Sequence, residues 1–369
     1  MSTAEPRLLF VVSNDYGELS GALDLVRGQP CLASLLLPPR LAGPNANALA
    51  VPSAEYRSVA DIFEAVDRDR PHVVFLFSGY LFGVNRLFRV EETADLVRGL
   101  EARGVAVATS DPFLGLMARP TESTLTPGHP LGPALVEHFG RLSPSLADLI
   151  HVYFMPAEGV AVARKVWASN PRAFEGGPSI DDRWLYLFSE EDYGQQVGAM
   201  GKDTFDEALL ALVEGASREG RKPVVLGPSA CVEALSRSAT KVEELELRTF
   251  LGHADFRELL LGAGRVFYWN VFSNSILARV ATGRPVSFFA PGHMAHAIPP
   301  LFEAGLGHYY PGGPPPLLDA RSPHSVGSLE ASDDAWRPAR EVAIARYRGM
   351  AGPMEMVAEI VKNRRAGSA

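Results

Sequence analysis

The hydrophobic pattern in the first half of the chain consists of short apolar runs separated by polar turns and amphipathic segments. Uninterrupted apolar runs of this length are typical of strands buried on both faces of a parallel sheet. The segment 91–103 places Ala94, Leu96, Val97 and Leu100 on one side, as a helix packed on such a sheet does. Strands are predicted over 7–13, 31–37, 72–77 and 105–109, helices over 19–27, 59–66 and 91–103, and a Pro-, Asn- and Ala-rich loop over 38–47. The alternation of strands and helices at short spacing predicts a parallel α/β sheet.

The second half of the chain repeats this alternation after a polar, Gly-rich segment over 171–182, which is predicted to be a linker. Strands are predicted over 184–188, 222–226, 245–250, 265–269 and 286–289, and helices over 205–218, 231–237, 256–261, 276–282, 335–350 and 353–364. A chain of 369 residues is long for one domain and suits two. The pattern therefore predicts an α/β protein of two domains.

Composition narrows the class of protein. A hydrophobic content of 47%, a charged content of 21% and a net charge of −8 describe an ordinary globular protein and disfavour nucleic acid as a partner. Cys31 and Cys231 lie far apart without metal-type spacing, which suits a reducing compartment. No N-terminal signal pattern is present, and no apolar run reaches the roughly 18 to 20 residues of a membrane span. We expect a cytoplasmic protein without a membrane span.

The turn before the predicted helix 276–282 offers the clearest candidate chemistry. It contains Asn270, Ser273, Asn274 and Ser275. A helix start presents backbone N–H groups and the positive end of the helix dipole, and small polar side chains add donors, so a pyrophosphate fits there. Ser and Asn are also common helix caps, so an ordinary capped helix is the alternative.

The run from Phe256 to Gly292 resembles the donor-binding segment of GT-B glycosyltransferases. In that superfamily a helix and a strand lead into a small-residue turn and a helix reading roughly S-x-x-E-A-x-x-x-G-x-P, which hold the diphosphate of a nucleotide sugar. The matching residues are Ser273, Asn274, Ser275, Ala278, Gly283 and Pro285. The chain departs from the pattern at Val271 and Phe272, where the family has a glycine pair. It departs again at Ala278 or Arg279, where the family has an acidic residue that often binds the donor.

This resemblance implies an α/β fold of two Rossmann-like domains facing a cleft, the GT-B-like arrangement. It implies an N-terminal domain over 1–170 on the acceptor side and a C-terminal domain over 183–330 on the nucleotide-sugar side. It also implies that C-terminal helices over 331–369 pack back on the first domain. The activity implied is metal-independent transfer from a nucleotide sugar, which is a substrate, without a further cofactor.

The loop Asn14–Glu18 follows the first predicted strand and is the candidate source of a catalytic base. Its carboxylates, Asp15 and Glu18, would lie at the ligand end of the sheet and could deprotonate an acceptor. The loop resembles the D-N-Y-G-D loop of protein-arginine rhamnosyltransferases, and that resemblance places Glu18 where the family has its proposed base. The alternative is structural, because Asp15 followed by Glu18 three residues later also resembles a capping box.

The other loops after predicted strands supply the remaining candidates, because ligands bind beyond the carboxyl ends of parallel strands. On the acceptor side they are Tyr16, Gly17, Ser78, Tyr80 and Asp111. On the donor side, beside the turn residues Asn270 and Ser273–Ser275, they are His293, Ser189 and Gly227. His293 and His296 form a short His-x-x-His, but no cysteine or carboxylate lies nearby in sequence, so no metal site is predicted.

The sequence thus predicts a glycosyltransferase that acts on an unidentified small-molecule or protein acceptor. A sugar-nucleotide epimerase or hydrolase on the same fold is one alternative. A GT-B-like binding or scaffold protein without catalysis is another, because the glycine pair and the acidic residue of the donor segment are missing.

Overall fold

The computed structural model describes residues 7–13, 16–28, 32–45, 49–82, 89–111, 132–154, 162, 164–175, 177–271, 273–290, 310 and 312–366. The chain divides into two compact units. The first comprises Met1–Glu175 with Arg346–Ala369, and the second comprises Gly176–Ala345. Each unit is built on its own parallel sheet.

The first unit is a seven-stranded parallel sheet within the described residues. Its strands are β1 (Arg7–Val12), β2 (Leu32–Leu37), β3 (Ser53–Glu55), β4 (Val73–Phe77), β5 (Ala106–Thr109), β6 (Ile150–Tyr153) and β7 (Lys165–Trp167). They lie in the order β3-β2-β1-β4-β5-β6-β7. Among the described residues up to 175, the α-helices of this unit are α1 (Tyr16–Val26), α2 (Pro39–Asn45), α3 (Val59–Asp69), α4 (Val90–Ala102) and α5 (Gly132–Leu146).

The second unit is a six-stranded parallel sheet over the part of the chain that is described. Its strands are β8 (Arg183–Leu187), β9 (Lys222–Leu226), β10 (Glu246–Arg248), β11 (Arg265–Tyr268), β12 (Val286–Ala290) and β13 (Leu317–Asp319). They lie in the order β10-β9-β8-β11-β12-β13. The remaining helices are α6 (Glu190–Met200), α7 (Lys202–Arg218), α8 (Ser229–Ser238), α9 (His253–Gly262), α10 (Asn274–Ala281), α11 (Val326–Arg348) and α12 (Pro353–Ala366).

The interior strands bury both faces, as their continuous apolar sequence predicts. In the first unit Phe10 of β1 lies opposite Phe75 of β4, with ring centroids 5.6 Å apart. The core on that face is completed by α12, which contributes Met356, Val357 and Ile360. Helix α12 therefore packs on the first sheet although it is last in the sequence.

The core of the second unit is aromatic. Tyr186 of β8 stacks on Phe267 of β11 with centroids 4.7 Å apart, and Trp269 stacks on Phe188 at 4.1 Å. Phe205 of α7 meets Trp269 edge-on, with centroids 5.9 Å apart, and closes this cluster from the helix side. These rings fix the ends of β8 and β11, from which two of the candidate loops depart.

The domain boundaries differ from those expected, because residues 331–345 belong to the second unit and not to the first. Asp333 of α11 forms an ion pair with Arg265 of β11, and Trp336 packs against Tyr310 with ring centroids 5.5 Å apart. Helix α11 also begins at Val326, nine residues before the predicted start, and α2 occupies part of the predicted loop 38–47. Among the described helices, none combines the length and apolar character needed to cross a membrane.

Candidate functional site

Three polar side chains of the first unit meet at the carboxyl ends of neighbouring strands. Glu18 lies in the first turn of α1, shortly after β1, while Ser78 follows β4 and Ser110 follows β5. The Ser78 hydroxyl donates to Glu18 Oε1 over 3.0 Å, and the Ser78 backbone N–H donates to Ser110 Oγ over 2.8 Å. We call these residues the Glu18 cluster. The cluster occupies the edge of the sheet where parallel α/β proteins bind ligands.

The Glu18 cluster is shielded from solvent. The exposed fractions are 6% for Glu18, 2% for Ser78 and 5% for Ser110. Asp111, which follows Ser110 directly, is 2% exposed. A carboxylate in such surroundings requires hydrogen-bond donors to remain ionised, and the Ser78 hydroxyl is one of them.

Only part of the candidate loop Asn14–Glu18 lies within the described residues. Tyr16 and Gly17 lie in the first turn of α1, so residues 16–18 of the predicted loop belong to this helix. Asp15, the second candidate base, lies outside the described residues, as does Asn14. The capping-box alternative that joins Asp15 to Glu18 therefore stays a prediction.

Tyr80 lies in the same unit but directs its hydroxyl elsewhere. The hydroxyl is 3.0 Å from Nε2 of His151 on β6, and Nδ1 of that ring is 3.0 Å from the carbonyl of Leu149. Since the carbonyl can only accept, Nδ1 carries the proton and Tyr80 donates to Nε2. Burial lowers the pKa of His151 to about 4, and burial, with the charges of Asp111 and Asp148, raises the pKa of Tyr80. The pair is fully buried and neutral at pH 7, which makes it a structural contact in this conformation.

The candidate turn of the second unit begins α10. Ser273 is its N-cap, and the Ser273 hydroxyl accepts the backbone N–H of Ser275 over 3.3 Å and lies 2.6 Å from Ser275 Oγ. Ser273 and Asn274 are partly exposed, whereas Ser275 is buried. The backbone N–H of Ile276 donates to the Ser273 carbonyl over 2.9 Å. The expected cap is therefore present, and its 3.3 Å bond is long for an N–H donor.

Ser189 and Asn270, both donor-side candidates, are joined through a residue that the sequence did not single out. Ser189 caps α6 in a capping box with Asp192, in which each side chain accepts the backbone N–H of the other. The Asn270 side-chain amide donates to the same carboxylate over 2.9 Å. Asp192 is 2% exposed and thus fixes the loop after β11 to the start of α6.

The last two donor-side candidates are Gly227 and His293. Gly227 follows β9, and a Cβ added there would meet Phe188 at 3.4 Å, an ordinary contact distance. A side chain is therefore sterically tolerable at this position. His293 lies outside the described residues.

Arg279 accounts for one departure from the donor-segment pattern. Its guanidinium is fully buried and points to the far end of α10, where it donates to backbone carbonyls. The acceptors are the carbonyls of Leu260 (3.0 Å), Ala263 (2.7 Å), Gly264 (3.4 Å) and Pro285 (2.6 Å). Burial lowers the pKa of Arg279 to about 10, so the group is still a cation at pH 7. In this chain the position serves the packing of α9, α10 and β12.

Sequence reasoning missed Asp192 and His151, and it did not pair Ser110, a candidate after the fourth predicted strand, with Ser78. A signal existed for Asp192, since Ser189 and Asp192 have the capping-box spacing. None existed for Ser110 as a partner of Ser78, because only the order of the strands brings β4 and β5 together. Among the described residues, no group of three or more His, Cys, Asp or Glu side chains is arranged to hold a metal ion.

Comparison with solved structures places this architecture among known proteins. Os79 from O. sativa in complex with UDP aligns with a TM-score of 0.57 and 13% identity, over 96% of this chain and 99% of that one. A. thaliana UGT89C1 complexed with UDP-L-rhamnose aligns with a TM-score of 0.54 and 11% identity, over 98% and 100% of the two chains. S. aureus MnaA with UDP aligns with a TM-score of 0.50 and 9% identity, over 94% and 92%.

No model of a known family matches the sequence, and a search of curated proteins also found no match. Identities this low bear on architecture and not on activity. The two parallel α/β units and these alignments show that the chain has the GT-B fold expected from the donor-segment resemblance.

Proposed function

We propose that the protein is a glycosyltransferase that moves a sugar from a nucleotide sugar to an acceptor. The observation that carries this proposal is the partly exposed turn Ser273–Asn274, which begins α10 directly after the interior strand β11. Two of the aligned structures of the same fold hold UDP and one holds UDP-L-rhamnose. A diphosphate is thus the ligand class that both the fold and the turn favour.

The diphosphate would lie beside the Ser273 hydroxyl at the start of α10. The helix dipole favours an anion there, and a phosphate oxygen can replace a long, neutral cap bond with a charge-assisted one. Ser275 is buried, so it would act through Ser273: if the Ser275 hydroxyl donates to Ser273 Oγ, the Ser273 proton is available to the ligand. Asn270 and Ser189 would support this site through Asp192.

Glu18 would act as the base on the acceptor, with Asp15 as the second candidate. The acceptor oxygen or nitrogen forms a bond to the anomeric carbon as its proton passes to the Glu18 carboxylate. The bond between the anomeric carbon and the diphosphate oxygen breaks, and its electron pair leaves with the nucleoside diphosphate. Glu18 then releases the proton to solvent, so the step requires no metal or further cofactor.

The nucleotide is identified by a thermal-shift panel of UDP, GDP, dTDP and CDP sugars on the full chain. A ligand that binds only the folded state raises the melting temperature by mass action, with about 2.7 kcal/mol of stabilisation at 100 times Kd. We expect one nucleotide series to shift the melting temperature well beyond the others. No shift with any of them at millimolar concentration would contradict the proposal.

The role of Glu18 is tested with the nucleotide sugar that the panel selects. Glu18→Gln keeps the shape and an acceptor for Ser78 but cannot take a proton, so turnover should fall by about 100-fold or more with donor affinity unchanged. Near-normal turnover would move the role to Asp15 or Asp111. Release of free sugar alone would favour the hydrolase alternative, and formation of an epimeric nucleotide sugar would favour the epimerase.

A protein that binds nucleotide sugars without catalysis is the second candidate. Arg279 favours this candidate. Its side chain donates to four backbone carbonyls and so does not replace the acidic residue that binds the nucleotide sugar in the family pattern. Binding of a nucleoside diphosphate without turnover of any nucleotide sugar would support this candidate.

A further inference from the structure

We infer that Ser78 is a positioning residue that orients the Glu18 carboxylate and favours its ionised form, and that Ser110 holds Ser78 in the conformation this requires. The inference rests on the proposed function of Glu18 as a base. It replaces the expectation that Ser78 contacts the acceptor directly. It also gives Ser110, which follows β5, a role as the partner of the Ser78 peptide.

The backbone of Ser78 is held in a strained conformation. Its φ is 53° and its ψ is 53°, in the left-handed region that favours glycine. A residue with a Cβ occupies this region at a steric cost. Such strain persists where surrounding contacts enforce it and is a pointer to functional positions.

In this conformation Ser78 makes two hydrogen bonds, one from its backbone N–H and one from its hydroxyl. The backbone N–H of Ser78 donates to Ser110 Oγ over 2.8 Å, which fixes the peptide after β4 against the end of β5. The hydroxyl is then directed to Glu18 Oε1 at 3.0 Å. The next peptide is fixed in the same way, since the N–H of Gly79 donates to Thr109 Oγ1 over 3.2 Å.

The steric surroundings fix this turn further. A Cβ on Gly79 would approach Thr109 Oγ1 to 2.6 Å, which is closer than real Cβ contacts. The peptide after Ser78 therefore lies tightly against β5, which holds the backbone from which the Ser78 hydroxyl reaches Glu18. The Ser78 hydroxyl already donates its proton to Glu18, so that proton is not available to an acceptor.

The chemical consequence concerns the protonation of Glu18. A hydroxyl that donates to a carboxylate favours the ionised form and lowers its pKa. The other carboxylate at this edge within the described residues is Asp111, directly after Ser110, and its charge acts in the opposite direction. Loss of the Ser78 hydroxyl should raise the pKa of Glu18 by about one to two units.

The test is a carbon-13 NMR titration of the full chain labelled at the glutamate side-chain carboxyl, with Glu18→Gln used to assign the Glu18 signal. In Ser78→Ala the pKa of Glu18 should rise by at least about one unit relative to the unsubstituted protein. Ser78→Gly removes the same hydroxyl and suits a φ of 53°, so it should show the same rise without the strain. It keeps the test decisive if Ser78→Ala folds poorly.

Ser169→Ala is the matched control, because Ser169 is a buried serine of the same unit whose hydroxyl faces the carbonyl of Met350. It should leave the titration of Glu18 unchanged. Ser110→Ala should raise the pKa of Glu18 as well, by releasing the Ser78 peptide. A Glu18 pKa within about 0.3 units of the original in both Ser78 variants would overturn the inference.

The titration requires no substrate, so its outcome is independent of the donor. A rise in the Glu18 pKa with no nucleotide binding would leave the positioning intact and remove the proposed function. If turnover depends on Glu18 but the pKa of Glu18 does not rise in the Ser78 variants, the positioning role of Ser78 is overturned and the proposed function is not. Where turnover is measurable, Ser78→Ala should also move the acid limb of the kcat profile to higher pH.

Discussion

Replacement of Arg279 by methionine tests how the donor-segment helix is held. Met fills most of the same volume without charge, so the change isolates the four hydrogen bonds to the backbone carbonyls around α9 and β12. Each buried carbonyl left without a donor costs about 1–3 kcal/mol, and bonds from a charged donor lie at the upper end. The Pro285 carbonyl would still accept the backbone N–H of Val266, which lies 3.4 Å away. Against this, the substitution removes the cost of burying a guanidinium, which the lowering of the Arg279 pKa to about 10 reflects.

With both effects combined, Arg279→Met should lower the free energy of unfolding by about 3–5 kcal/mol, measured by urea denaturation. Arg284→Met is the matched control, because Arg284 is partly exposed and donates to the single carbonyl of Pro178. It should cost about 1 kcal/mol. A loss below about 1 kcal/mol for Arg279→Met would refute the reasoning, since it would mean that water or a shift of α9 satisfies the carbonyls.

Two further predictions concern buried polar groups. Because burial holds the pKa of His151 near 4, below its ordinary 6.5, the folded state disfavours protonation, and stability present above pH 6.5 is lost as the pH falls towards 4, by up to about 3 kcal/mol. His151→Asn should flatten the pH dependence of the unfolding free energy in that window, and an unchanged slope would contradict the assignment. Asp192→Ala removes the capping partner of Ser189 and the acceptor of Asn270, so unfolding in urea should require about 2 kcal/mol less, and a change within 0.5 kcal/mol would show the network to be dispensable.

The sheets were largely predictable because a buried parallel strand is an uninterrupted apolar run. β1 and β4 fall within one residue of their predicted limits. Helix α11 was predicted to begin nine residues late, since 326–334 has few apolar residues. That segment is held by contacts invisible in the sequence, such as the ion pair of Asp333 with Arg265.

The candidate site was predictable in its location and not in its contacts. The rule that ligands bind beyond the carboxyl ends of strands led to Glu18, Ser78 and Ser273. It did not show that Ser78 bonds to Glu18, because the two residues are 60 positions apart and meet only through the pairing of β1 with β4. Nor could the sequence show that Arg279 turns towards the carbonyls and away from the turn.

The measurement that tests the central claim most directly is the affinity for UDP, or the nucleotide selected by the thermal-shift panel, determined by calorimetry. Ser273→Glu places a negative charge where the diphosphate should bind and removes its hydroxyl donor. Ser236→Glu, at an exposed serine of α8 in the same unit, introduces the same charge away from the turn. We expect Ser273→Glu to weaken binding by at least about 100-fold and Ser236→Glu to leave it unchanged. Equal affinity in the two variants would contradict a diphosphate site at the start of α10.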